Sequence, residues 1–66
     1  MEVIKKLKVD KVVFKNGLVL EVGDLLGDGR IFGIEERKGG VEVICIDGEE
    51  GFSYFYNEDG YELEEF

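Results

Sequence analysis

The chain has 66 residues, 16 Asp plus Glu against 8 Lys plus Arg, a net charge of −8, no His, no Pro, no Trp and one Cys. A chain this short is one domain, buries only about 60% of its unfolded surface and has no room for a cleft between lobes. Without His there is no imidazole acid–base chemistry or imidazole metal site, and one Cys allows neither an internal disulfide nor a multi-Cys metal cluster.

The apolar runs are a few residues long, too short for a membrane-spanning helix. No signal-peptide core follows Lys5 and Lys6. A single free Cys suits a reducing compartment, so a cytoplasmic location is expected.

Ten Gly and no Pro punctuate the chain as turns. Residues 3–9 read as a strand in preference to a helical turn. Asn16-Gly17 separates two β-rich runs, residues 11–15 and 18–22, and predicts a hairpin with a type I′ turn. Gly27-Asp28-Gly29 breaks the chain again. Residues 30–36 read as a strand, with Gly33 marking a bulge or bend. After Gly39-Gly40, residues 41–47 form the most apolar strand, expected at the centre of the sheet. Asp47-Gly48 and Gly51 frame a turn before the aromatic strand Phe52-Ser53-Tyr54-Phe55-Tyr56. Glu58-Asp59-Gly60 turns the chain into a last short strand, residues 61–66. The spacing predicts a single all-β domain over residues 1–66, a small antiparallel sheet or barrel of five or six strands.

Val22-Gly23-Asp24, Gly29-Arg30-Ile31, Val41-Glu42-Val43, Asp47-Gly48 and Tyr61-Glu62-Leu63-Glu64 together resemble small SH3-like barrels. The likeness covers about two thirds of the chain. It implies an SH3-like barrel and carries no catalytic residue. The Asn16-Gly17 hairpin is an addition to the five-strand plan, so another small antiparallel sheet stays open.

Charge is distributed unevenly. Residues 1–16 hold Lys5, Lys6, Lys8, Lys11 and Lys15 against Glu2 and Asp10. From Asp47 onward there are eight acids and no base. Those acids fall in turns or on the last hairpin and are expected to share one end or face. On a strand, Glu62 and Glu64 would project together about 6.8 Å apart, an order of spacing comparable with the one charge per roughly 3.4 Å of axis along each DNA strand. The expected partner-binding residues are Glu49, Glu50, Glu58, Asp59, Glu62, Glu64 and Glu65, with Tyr54, Tyr56 and Tyr61 as aromatic anchors. Acidic balance also serves solubility with no partner at all, and the basic start could fold back onto these acids.

Size and composition resemble the small acidic phage-encoded inhibitors that imitate DNA, a functional class without a shared motif. The resemblance implies a basic nucleic-acid-binding protein as partner, with an HU-type nucleoid protein as the most specific expectation. The host would then be a bacterium. Direct nucleic-acid binding is not expected, because the aromatic strand has acidic flanks; the rings of Phe52, Tyr54 and Tyr56 read better as filling a small core, with surplus rings for a dimer interface.

Other readings carry less. Asp24 to Arg30 and Asp47 to Glu58 are acidic loops, but Phe52 takes the sixth position of the second, where a calcium loop needs Gly. No metal or cofactor is expected. Glu35/Glu36 and Glu62/Glu64 are carboxylate pairs of the kind any acidic chain contains, and Cys45 sits among apolar neighbours as a buried thiol would. The chain is expected not to be an enzyme. The alternatives are a generic SH3-like interaction module, and an oligomer binding an anionic small molecule through Arg30, Arg37 and Lys38. A homodimer would add buried surface to so small a core.

Overall fold

Glycine-centred turns divide the chain into short extended segments. The computed structural model describes residues 7–64. In chain order the strands are β1 (Leu7–Val9), β2 (Lys11–Val13), β3 (Val19–Glu21), β4 (Leu25–Leu26), β5 (Gly29–Arg37), β6 (Gly40–Asp47), β7 (Glu50–Asn57) and β8 (Glu62–Leu63). All pairings are antiparallel. The larger sheet has six strands in the order β1-β5-β6-β7-β8, with β4 also pairing β5, while β2 and β3 form a two-stranded sheet. The larger sheet curls into a half-barrel, so the all-β antiparallel expectation holds. Of the strand expected over residues 3–9, Leu7–Val9 is β1 and the rest lies outside the described residues. Among the described residues no helix is long and apolar enough to cross a membrane.

The apolar run at residues 41–47 takes the central position, as its composition predicts. β6 lies between β5 and β7. Strand alternation then fixes the core. Val41, Val43 and Cys45 stand opposite Tyr56, Tyr54 and Phe52 of β7. On the other side, Cys45 and Val43 stand opposite Ile31 and Ile34 of β5. The hairpin adds Phe14 and Leu20 to the same buried cluster. Ile31, Ile34, Val43 and Cys45 are sealed from solvent. Burying an Ile or Val side chain contributes about 1.5–3 kcal/mol.

The spacing from Ile31 to Ile34 is odd, yet both are buried. A β-bulge reconciles them. The register passes from Ile31↔Cys45 to Gly33↔Ile44, leaving Phe32 as the extra residue. The bend anticipated at Gly33 is this bulge, and Phe32 is left 67% exposed.

The turn at Asn16-Gly17 is not type I′. That turn needs positive φ at both central residues, and here Gly17 has φ 91° while no described non-Gly residue has positive φ. Instead Lys15 and Asn16 form the centre of a turn closed by Gly17 N–H donating to the Phe14 carbonyl at 3.0 Å. Phe14 N–H donates to the Leu18 carbonyl at 2.8 Å. The reason lies across the molecule. The chain from Asn57 to Tyr61 repeats the same two bonds, Gly60 N–H to Asn57 at 3.1 Å and Asn57 N–H to Tyr61 at 2.9 Å. The two turns meet: Asn16 N–H donates to the Asp59 carbonyl at 3.3 Å, and Asn16 Nδ2 donates to the Gly60 carbonyl at 3.3 Å.

These twin turns set up a controlled comparison. Gly17 (φ 91°) and Gly60 (φ 96°) have nearly the same backbone, but a Cβ at Gly17 would meet open space and one at Gly60 would collide with the Asn16 side chain. Gly17→Ala is expected to cost about 1 kcal/mol from left-handed strain alone. Gly60→Ala is expected to cost about 2–4 kcal/mol, because overpacking adds to the strain. Urea unfolding midpoints at unchanged slope measure both.

Candidate functional site

The acids of the last twenty residues are distributed by β7. Glu49 lies in the turn from β6 to β7 and Glu50 begins β7, while Glu58 and Asp59 follow its far end. At about 3.3 Å per residue, β7 is roughly 23 Å long from Glu50 to Asn57 and lies between these two groups. The expectation that the acids share one end is thereby corrected to two groups. Glu62 lies on β8 opposite Tyr56, and Glu64 lies beyond the end of β8. The Glu62/Glu64 ladder is therefore not carried by a continuous strand. Glu65 lies outside the described residues. Glu49, Glu50, Glu58, Asp59, Glu62 and Glu64 are all exposed.

The β7–β8 group is held by two asparagines that sequence reading missed. Asn57 Oδ1 accepts from Asp59 N–H at 3.1 Å and from Tyr61 N–H at 2.9 Å. Side-chain-to-backbone bonds of this kind fix a turn locally. Asn16 clamps the same turn from outside, as described above. The signal available for Asn57 was its position just before Glu58-Asp59-Gly60. Nothing local pointed from Asn16 to a turn 44 residues away.

Three of the basic residues have partners away from these acids. Lys11 of β2 stands opposite Glu21 of β3. Cross-strand pairs of opposite charge support register. Arg37 forms an ion pair with Glu42, whose Oε2 also accepts from Ser53 Oγ at 2.8 Å. Arg30 donates to the Gly23 carbonyl at 2.7 Å. Among the described residues, Arg37–Glu42 is the one ion pair, and no described cation pairs with any of the six exposed acids above.

The three candidate anchors have different fates. Phe52, Tyr54 and Tyr56 share the face of β7 that covers Cys45, Val43 and Val41, so alternation directs them to the core. Tyr56 is 7% exposed and its ring packs 5.6 Å from that of Phe14. It is a core residue and is not available at the surface. Tyr54 is half-buried and meets Phe52 edge to face at 5.5 Å. Tyr61 is 63% exposed, beside the Glu58–Asp59 turn. Among the described residues, no three carboxylates or thiols gather as a metal site would need.

Cys45 is fully buried, and that burial pushes its thiol pKa up. Tyr56 is raised as well, first by burial, then by the charge of Glu62, with smaller effects of Tyr54 and Cys45. Both groups hold their protons more tightly folded than unfolded. Their contribution is therefore complete below the unfolded pKa and lost as pH rises, from about 8.5 for Cys and about 10 for Tyr. Stability should fall through this alkaline range, and Cys45→Val should remove the earlier component. Urea unfolding as a function of pH tests it. A native Cys45 should also resist a thiol reagent until the chain unfolds.

No family model, no curated protein and no solved structure matches the chain.

Proposed function

We propose that the protein is a non-enzymatic acidic inhibitor that occupies the basic nucleic-acid-binding face of another protein in place of DNA. The observation that supports this reading is the β7–β8 turn. It presents Glu58, Asp59, Glu62 and Glu64 exposed and, among the described residues, without an ion-pair partner, on a backbone clamped by Asn57 and Asn16. A turn fixed in this way leaves only its side chains to be ordered on binding, because its backbone is already set. Glu49 and Glu50 form a second charge centre at the other end of β7. The roughly 23 Å of β7 corresponds to about seven base-pair rises along the DNA axis. The excess negative charge steers a basic partner at long range, and salt weakens that attraction.

In this reading the protein acts in a bacterial cytoplasm, and an HU-type nucleoid protein is the first target to test. A second reading, an interaction module using apolar sheet surface, is favoured by Phe32 and Leu25, which are 67% and 74% exposed. Its binding would be insensitive to salt.

Competition between this protein and labelled duplex DNA for an HU-type protein separates the two. Wild type should displace the duplex, with an affinity that falls steeply as salt rises. The variant with Glu58→Gln, Asp59→Asn, Glu62→Gln and Glu64→Gln should lose at least about tenfold, or about 1.4 kcal/mol, with its unfolding midpoint retained. Equal competition by this variant, or competition unaffected by salt, would overturn DNA mimicry.

A further inference from the structure

The two sheets leave a groove of about 280 Å³ at their seam. One wall is β2 and its continuation, Val12, Val13 and Phe14, and the other is Val41 at the start of β6. Phe14 and Val41 are buried beneath it, whereas Val13 is 64% exposed. Val19, opposite Val13 on β3, is 44% exposed and extends the apolar surface. The volume equals that of roughly nine liquid waters, enough for one large apolar side chain and short of a drug-sized cavity.

Charge identifies the occupant. Glu36 and Glu58 stand exposed on the rim. Arg37 also lines the groove, but its guanidinium is engaged by Glu42. Among the described residues that line it, the uncompensated charge at the rim is therefore negative. A second copy of a chain with net charge −8 would bring like charge to like charge. A basic segment meets no such penalty.

We infer that this groove receives an apolar side chain flanked by lysine or arginine, presented by the basic partner, with Glu36 and Glu58 engaging the flanking cations. The inference rests on the acidic-inhibitor reading for the class of partner, and it adds an apolar anchor that Tyr56, buried in the core, cannot supply. Glu58 belongs to both the turn and the groove, so charge attraction and apolar insertion act side by side. Interfaces commonly concentrate their affinity in such an anchor surrounded by polar rim contacts.

The test uses the full chain and three synthetic peptides: one leucine between lysine pairs, alanine in place of that leucine, and the leucine between glutamate pairs. Binding is followed by amide-resolved NMR. The lysine–leucine peptide should bind about tenfold tighter than the alanine peptide and shift the amides of Val13, Phe14 and Val41. The glutamate-flanked peptide should not bind. Val13→Ser, at an exposed position that leaves the core intact, should abolish the advantage of leucine and leave the alanine peptide unchanged. If the leucine and alanine peptides bind alike, and Val13→Ser changes neither, the groove is not an anchor while the acidic surface still binds cations. Absence of binding by either lysine peptide would overturn both this inference and the reading it rests on. Self-association in sedimentation equilibrium that Val13→Ser removes would overturn it in favour of a second copy.

Discussion

Closure of a two-stranded hairpin onto a curled sheet is the constraint on which this fold depends. β2 and β3 have three residues each, and a hairpin of that length is not stable alone. It persists because Phe14 and Leu20 enter the core of the larger sheet. The contact between Phe14 and Tyr56 closes the apolar side. The bonds from Asn16 to Asp59 and Gly60 close the polar side. Hydrophobic burial supplies the drive, and the paired turns set the angle at which the hairpin meets the sheet. The seam groove lies beside this junction, with Phe14 in its wall and Glu58 on its rim.

The same junction connects stability to charge. A net charge of −8 on 66 residues opposes compaction through self-repulsion. Part of that repulsion is relieved where Lys11 faces Glu21 and where Arg37 meets Glu42. None of these contacts reaches the acids of the β7–β8 turn. The turn therefore keeps its unscreened carboxylates while the asparagines Asn16 and Asn57 hold its backbone. Neutral hydrogen bonding, which survives changes of salt better than surface ion pairing, holds the part of the molecule that carries the charge.

Much of the architecture was legible along the chain. The glycine turns, the central apolar strand and the bulge near Gly33 follow from local chemistry: backbone freedom, composition, and the spacing of Ile31 and Ile34. The type I′ turn at Asn16 was misread because Asn-Gly chemistry permits two turns. The choice between them is made by Asp59 and Gly60, which lie far away in sequence. Tyr56 stood both as an anchor and as a core-filling ring, because a period-two aromatic run has the same pattern whether its face meets solvent or core. The register with Val41, Val43 and Cys45 makes that choice.

The acidic surface divides along the same line. The number of carboxylates, their concentration after Asp47 and the absence of any base among them are properties of the sequence alone, because ionisable groups can be counted without a fold. Their separation into two groups was decided by the tertiary structure, because β7 runs as one extended strand from Glu50 to Asn57. So was the rigidity of the Glu58–Asp59 turn. It depends on Asn16, and a hydrogen bond spanning 44 residues exists only once the core has brought its partners together.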